Sequence, residues 1–249
     1  MNPNLTELVY IIDRSGSMNA LTSDTVGGYN AFIEEQKKLE GQAYLTTVLF
    51  DDRYELFCDH TDIMEAKHMT EADCHARGCT ALMDAVGKTI NSVGARLAKT
   101  PEEERPSKVL FMIVTDGYEN ASKEFSRNAV KKMVEHQQSV YSWEFLFVGA
   151  GIDAYAEASS IGISTEHTAS TYATMDCMAA TMTAFSKGAS AIRCSAGGGG
   201  GGGLDSSWKN DIEEQRITTA VDAFEAIPLV HAASLDDITL AVNTSSRSV

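Results

Sequence analysis

The chain contains no apolar run long enough to cross a membrane and no stretch rich in lysine or arginine. The first absence excludes a bilayer-spanning helix, which needs about 20 mostly apolar residues. The second removes the cationic row with which proteins neutralise nucleic-acid phosphates, so nucleic acid is not an expected partner. Only 20 basic residues stand against 35 acidic ones, a net charge of −15. That balance opposes docking on anionic membranes and suits the attraction of cations. The opening residues Met1-Asn2-Pro3-Asn4-Leu5-Thr6-Glu7 lack the basic region of an export signal, and the apolar run behind them is cut by Asp13 after five residues. Cysteines number five, an odd count, with no Cys-x-x-Cys pair. The expectation is reduced thiols in a cytoplasmic protein. Cys74, His75 and Cys79, with His60 and His68 nearby, are too irregularly spaced for a zinc set. No internal repeat is found.

What is present is a globular composition, 43% hydrophobic and 22% charged, which permits a packed core. Seven consecutive glycines, Gly197 to Gly203, hold neither helix nor strand readily and divide the chain. The expected organisation is therefore a main domain over 1–195, a Gly-rich linker over 196–203, and a tail over 204–249 that is packed back or loosely ordered.

Within the main domain, short apolar runs alternate with longer segments of helical period, which predicts an α/β fold. Its sheet is expected to be mostly parallel, with helices on both faces. Leu8-Val9-Tyr10-Ile11-Ile12 is apolar at every position, as a strand buried on both sides should be. Asp24 to Leu39 carries a helical stripe that stops near Gly41, and Tyr44–Phe50 and Tyr54–Cys58 are joined by only Asp51-Asp52-Arg53. That hairpin-length link predicts an antiparallel edge strand. Further on the pattern predicts a helix over Ala81–Leu97, a strong strand over Val109–Thr115 and a helix over Lys123–His136. A strand over Trp143–Val148, a short helix over Ala154–Ser160 and a weak strand over Ser164–Ala169 follow. Tyr172–Ile192 is a helix expected to pack Met175, Met178, Met182 and Phe185 on the sheet. In the tail, a helix over Asp211–Ile227 should turn Ile217, Val221 and Phe224 inward, and Ile238–Val242 should form a short strand.

Two of the buried strands end in aspartate. Asp13-Arg14-Ser15-Gly16-Ser17 leaves the first strand at its carboxyl end, where open α/β sheets place their ligand sites. Alternating Asp, Ser and Ser can turn three oxygens toward one point, as a hard cation requires. Thr80, just before a helix, and Asp116, at the end of Val114-Thr115-Asp116-Gly117, are the further candidate donors. Asp24 and Asp84 are placed near this site, where they either support its ligands or are simply solvated first-turn acids of their helices, and Glu119 and Asn120 are placed on its rim. Taken singly, each element has a plain structural reading: Asp13 and Asp116 as turn formers, Ser15 and Ser17 as capping hydroxyls, Thr80 as an N-cap.

Taken together, Asp13, Ser15, Ser17, Thr80 and Asp116 resemble the metal-ion-dependent adhesion site (MIDAS) of von Willebrand factor type A (vWA) domains, in the same order. The resemblance covers about residues 5–195, and the sequence also looks like small bacterial and phage cytoplasmic members of the family, in which Asp-Arg-Ser-Gly-Ser-Met and Thr-Asp-Gly-x-Glu-Asn recur. It implies a vWA, Rossmann-like doubly wound sheet and a bound Mg²⁺, with Mn²⁺ or Ca²⁺ as alternatives. It also implies that Ser15, Ser17 and in some states Thr80 touch the ion, and that Asp13 and Asp116 act directly or through water. The last coordination position is then left for an Asp or Glu of another protein. A divalent-cation-dependent protein-binding module, not an enzyme, is the expected function. The rivals are a Mg²⁺-dependent hydrolase acting on phosphoesters and a metal-independent assembly scaffold. The motifs contain no histidine to serve as a base, which weighs against the hydrolase.

Overall fold

In the computed structural model, which describes residues 1–195 and 204–225, the first apolar run lies at the centre of a six-stranded sheet. The strands are β1 (Asn2–Asp13), β2 (Gln42–Phe50), β3 (Tyr54–Asp62), β4 (Pro106–Thr115), β5 (Glu144–Ala150) and β6 (Thr168–Thr171), in the spatial order β3-β2-β1-β4-β5-β6. Every neighbouring pair is parallel except β2 and β3, the antiparallel edge that the short Asp51-Asp52-Arg53 link dictates. The helices are α1 (Thr22–Lys37), α2 (Leu82–Lys99), α3 (Arg127–Tyr141), α4 (Ala154–Ser160), α5 (Met175–Cys194) and α6 (Asn210–Glu225). Helices α1 and α5 cover one face of the sheet, with α6 lying on α5; α2, α3 and α4 cover the other.

Because side chains alternate along a strand, β1 feeds both cores at once. Leu8, Tyr10 and Ile12 enter the core under α1 and α5, while Val9 and Ile11 enter the core under α2 and α3. All five are fully buried, which explains an apolar run without alternation. Tyr10 is the hub of the first core. Its ring lies 5.7 Å from Tyr29, 5.3 Å from Phe32 and 5.6 Å from Phe185, and its hydroxyl reaches the Met182 sulfur at 2.7 Å. On the other face Phe111 stacks on Trp143 at 5.4 Å and meets Phe145 at a tilt at 4.8 Å.

Several boundaries differ from the sequence expectation, each for a tertiary reason. β1 begins at Asn2 because its polar start is also sheet-paired, and the buried Glu7 is held by Arg96 at 2.6 Å and His60 at 2.9 Å. β3 continues to Asp62. The last strand lies later than expected because Thr165–His167 form a 3-10 turn before it. Met178, Met182 and Phe185 pack on the sheet as expected, but Met175, in the first turn of α5, is 53% exposed.

The tail helix requires a correction. Ile217, Val221 and Phe224 do not face inward; they are 66%, 49% and 51% exposed. Trp208, in the 3-10 turn just before α6, sets the rotation of the helix. It is buried, stacks on Phe185 at 6.0 Å and donates its indole N–H to the Glu166 carbonyl at 3.0 Å. With Ile212 turned inward beside it, a helical advance of ~100° per residue carries 217, 221 and 224 to the opposite side. The expected strand over Ile238–Val242 and the Gly-rich linker lie outside the described residues. Among the described residues, no helix is long and apolar enough to cross a membrane.

This packing predicts a contrast in denaturant unfolding. Trp208→Ala should cost about 3 to 5 kcal/mol, as loss of a large buried ring does. Ile217→Ala should stay within about 0.5 kcal/mol of the unsubstituted protein. Equal costs for the two would mean that α6 is rotated differently.

Candidate metal centre

β1 and β4 lie side by side where the strand order reverses direction, the position at which open α/β sheets gather ligands beyond their carboxyl ends. Their register pairs Ile12 with Val114, so Asp13 and Thr115 are the next residues out on the two strands. Thr115 Oγ1 donates to Asp13 Oδ2 at 2.5 Å, and the Ser15 N–H donates to Asp13 Oδ1 at 2.6 Å. Asp13 is fully buried. Its carboxyl is raised to about 7, chiefly by burial and further by the charge of Asp116, against the lowering effect of the hydrogen bonds from Thr115 and Ser15. A cation among these oxygens would favour the ionised form.

The loop after β1 turns its serines toward β4. Ser15 is buried, Ser17 is exposed, and their hydroxyls lie 3.2 Å apart. Ser17 Oγ in turn donates to Asp116 Oδ1 at 2.6 Å, bridging the ends of β1 and β4. Thr80 arrives from a third loop. The Gly16 N–H donates to the Gly78 carbonyl at 3.3 Å, and Gly78 takes φ +68°, a left-handed conformation that favours glycine. A Cβ on Gly117 would stand 2.8 Å from Thr80 Oγ1, so glycine after Asp116 is what lets this hydroxyl close on the β4 loop. Asn120 holds Thr80 from both sides: its N–H donates to the Thr80 carbonyl at 3.0 Å, and its Oδ1 accepts from the Thr80 N–H at 2.9 Å.

All five predicted positions thus come from three loops at one end of the sheet. The plain capping reading of their hydroxyls does not describe them. Ser15 stands at the N-cap of the 3-10 turn Gly16–Leu21 without a side-chain cap bond, and α2 opens on Ala81, likewise without one.

The neighbouring acids divide by role. Asp84 is buried and accepts the N–H groups of Lys123, Glu124 and Phe125 at 2.8 to 2.9 Å, which fixes the loop behind Asp116. Glu119 accepts from the Met83, Ala121 and Ser122 N–H groups, so it caps the start of α2 while Asn120 stays on the rim. Asp24 is a first-turn acid of α1. Two residues escaped the sequence reading. Thr115 was hidden as the last residue of a strand. Arg14, inside the first motif, is 1% exposed and pairs with Asp51 at 3.2 Å and Glu55 at 2.6 Å; an arginine directly behind a fully apolar strand was the available signal.

The zinc alternative gains nothing. His60 pairs with Glu7, His68 pairs with Glu34, and burial pushes the Cys74 thiol up to about 11. Among the described residues, no three His, Cys, Asp or Glu side chains group so as to hold a metal. The oxygen set at the strand ends is of another kind, three neutral hydroxyls with two carboxylates, and its chemistry fits a hard divalent cation.

No protein-family model and no curated protein sequence matches the chain. Solved structures do. The vWF domain of the type V pili tip protein Mfa5 from Porphyromonas gingivalis superposes with a TM-score of 0.56 at 11% identity, over 75% of this chain and 94% of that one. A von Willebrand factor type A structure from Catenulispora acidiphila gives 0.50 at 14% identity, over 76% and 43%. Proximal thread matrix protein 1 of the mussel byssus, in a form with a zinc-occupied MIDAS motif, gives 0.51 at 19% identity, over 74% and 46%. The chain therefore spans less than half the length of the byssus protein. The likeness shows the fold: a vWA-type sheet, mostly parallel with one antiparallel edge strand and flanked by helices.

Asp84 offers a test of how the loop behind Asp116 is held. Burial by itself would raise its carboxyl, but the three N–H donors outweigh it and hold the group below its ordinary 3.8. Its contribution is then fully present above that value and lost as pH falls through the lower folded value. Asp84→Asn should cost about 1 to 3 kcal/mol at neutral pH. The difference from the unsubstituted protein, followed by urea unfolding across pH, should shrink only in acid below 3.8.

Proposed function

We propose that the chain is a divalent-cation-dependent protein-binding module in which Asp13, Ser15, Ser17, Thr80 and Asp116 hold Mg²⁺, with Mn²⁺ or Ca²⁺ as substitutes, and in which the held ion captures an Asp or Glu of a partner protein. The observation that carries this reading is the hydrogen-bonded chain from the Ser15 and Ser17 hydroxyls to the Asp116 carboxylate across the ends of β1 and β4, with Thr80 closing on Gly117 from a third loop. A cation bound there would supply an electrophilic point for one more oxygen donor. Two carboxylates balance its charge without the surplus that four would bring, so an incoming carboxylate remains attractive.

The residues divide the work. Asp13 and Ser15, both buried, form the floor; Ser17 and Asp116 stand at the open rim. Thr115 and Asn120 hold Asp13 and Thr80 in place by hydrogen bonds. Binding without catalysis is the favoured use, because the groups that converge are oxygen donors with no histidine base in the three motifs. A cytoplasmic setting remains part of the proposal and rests on the reduced-cysteine reading of the sequence alone.

Mn²⁺ or Mg²⁺ should bind the purified protein at one site and raise its thermal midpoint. At a hundredfold excess over Kd the stabilisation is about 2.7 kcal/mol. Ser17→Ala and Asp13→Ala should lose the response. An identical midpoint shift in all three proteins would refute the assignment, and turnover of a generic phosphoester that vanishes in Asp13→Ala would favour the hydrolase instead.

A further inference from the structure

The two halves of the candidate centre are fastened to the same pair of carboxylates. Arg14, between Asp13 and Ser15, places its guanidinium inside the protein, 3.2 Å from Asp51 Oδ2 and 2.6 Å from Glu55 Oε2, and donates to the Asp73 carbonyl at 3.1 Å. Arg77, three residues before Thr80, reaches the same Asp51 Oδ2 at 2.7 Å and the same Glu55 Oε2 at 3.4 Å. Asp51 is fully buried at the turn between β2 and β3. Main-chain bonds run in parallel: Arg14 N to Phe50 O at 2.8 Å, Arg77 N to Arg14 O at 2.9 Å, and Ala81 N to Asp51 O at 2.9 Å.

A carboxylate buried this completely must be compensated by charge and hydrogen bonds, which Arg77 at 2.7 Å, Arg14 at 3.2 Å and the Arg53 N–H at 2.7 Å supply together. In making these contacts the second arginine also ties the segment carrying Thr80 to the point that anchors the Ser15–Ser17 loop. Gly78 makes the tie close, since a Cβ there would meet Asp52 Oδ1.

We infer that Arg77 is a positioning residue for the metal centre, acting through Asp51 to set the distance between the Thr80 hydroxyl and the serines of the first loop. The inference rests on the metal-binding reading above and names what regulates its geometry. Residues that orient a ligand without touching the ion commonly change metal affinity 10- to 100-fold. Arg77 is also the more accessible of the two arginines. Its side chain is about one-third exposed, and Asp51 keeps Arg14 when it is lost.

The test is a cycle of Mn²⁺ dissociation constants, read by electron paramagnetic resonance of free Mn²⁺, for the full chain, Arg77→Ala, Thr80→Ala and the double variant. Arg77→Ala should weaken binding by about tenfold or more, while in the Thr80→Ala background the same change should cost less than about twofold, because the two act as one unit. Arg77→Lys, which retains one donor toward Asp51, should recover part of the loss and covers the case of an alanine variant that does not fold. Unchanged Mn²⁺ affinity in folded Arg77→Ala overturns the inference while leaving the metal centre intact, and so does a full loss that persists without Thr80. Absence of Mn²⁺ binding by the unsubstituted chain would remove both readings together.

Discussion

The parallel pairing of β1 with β4 is the constraint on which the rest of the molecule depends. Both strands are buried on both faces, so their register is set by two cores at once: Tyr10 must reach Tyr29, Phe32 and Phe185, while Ile11 and Phe111 must reach the opposite side. A slip of one residue would send each of these side chains to the wrong face. The same register sets Asp13 beside Thr115 and puts Asp116 one step farther out. Core packing therefore positions the two carboxylates before any ligand is considered.

Around that pair, the loops are drawn in by short polar contacts rather than by hydrophobic burial. Ser17 spans to Asp116, Gly16 to Gly78, and Asn120 to Thr80. Behind them Asp84 and Glu119 absorb the free N–H groups of the β4 loop and of the start of α2. The carboxyl end of the sheet is thus stiffened by acids whose oxygens are taken up by backbone N–H groups. A net charge of −15 over the whole chain adds a field that favours cations near this end and elsewhere.

Much of this was legible in the sequence, and the reasons are specific. β1 and β4 announced themselves because strands buried on both faces read as unbroken apolar runs, and the link Asp51–Arg53 was too short for anything but an antiparallel turn. Asp13, Ser15, Ser17 and Asp116 drew notice because they follow the ends of two apolar strands, and Thr80 because it stands just before a helix. What was hidden depends on contacts between distant segments. The Arg14–Asp51–Arg77 joint pairs residues from three separate stretches, and no local periodicity records it. The rotation of α6 was misread because its strongest apolar stripe, Ile217, Val221 and Phe224, is on the exposed side, while Trp208, outside the helix, decides which side packs. Glu119 was expected on the rim and caps α2 instead, a choice made by the unpaired N–H groups at that helix start.

The most direct test of the central claim is anomalous diffraction from crystals of the full chain grown with Mn²⁺. A single strong manganese peak enclosed by oxygens of Asp13, Ser15, Ser17, Thr80 and Asp116 is the expected result. A peak at another place on the surface, or none at Mn²⁺ concentrations that change the thermal midpoint, would contradict it.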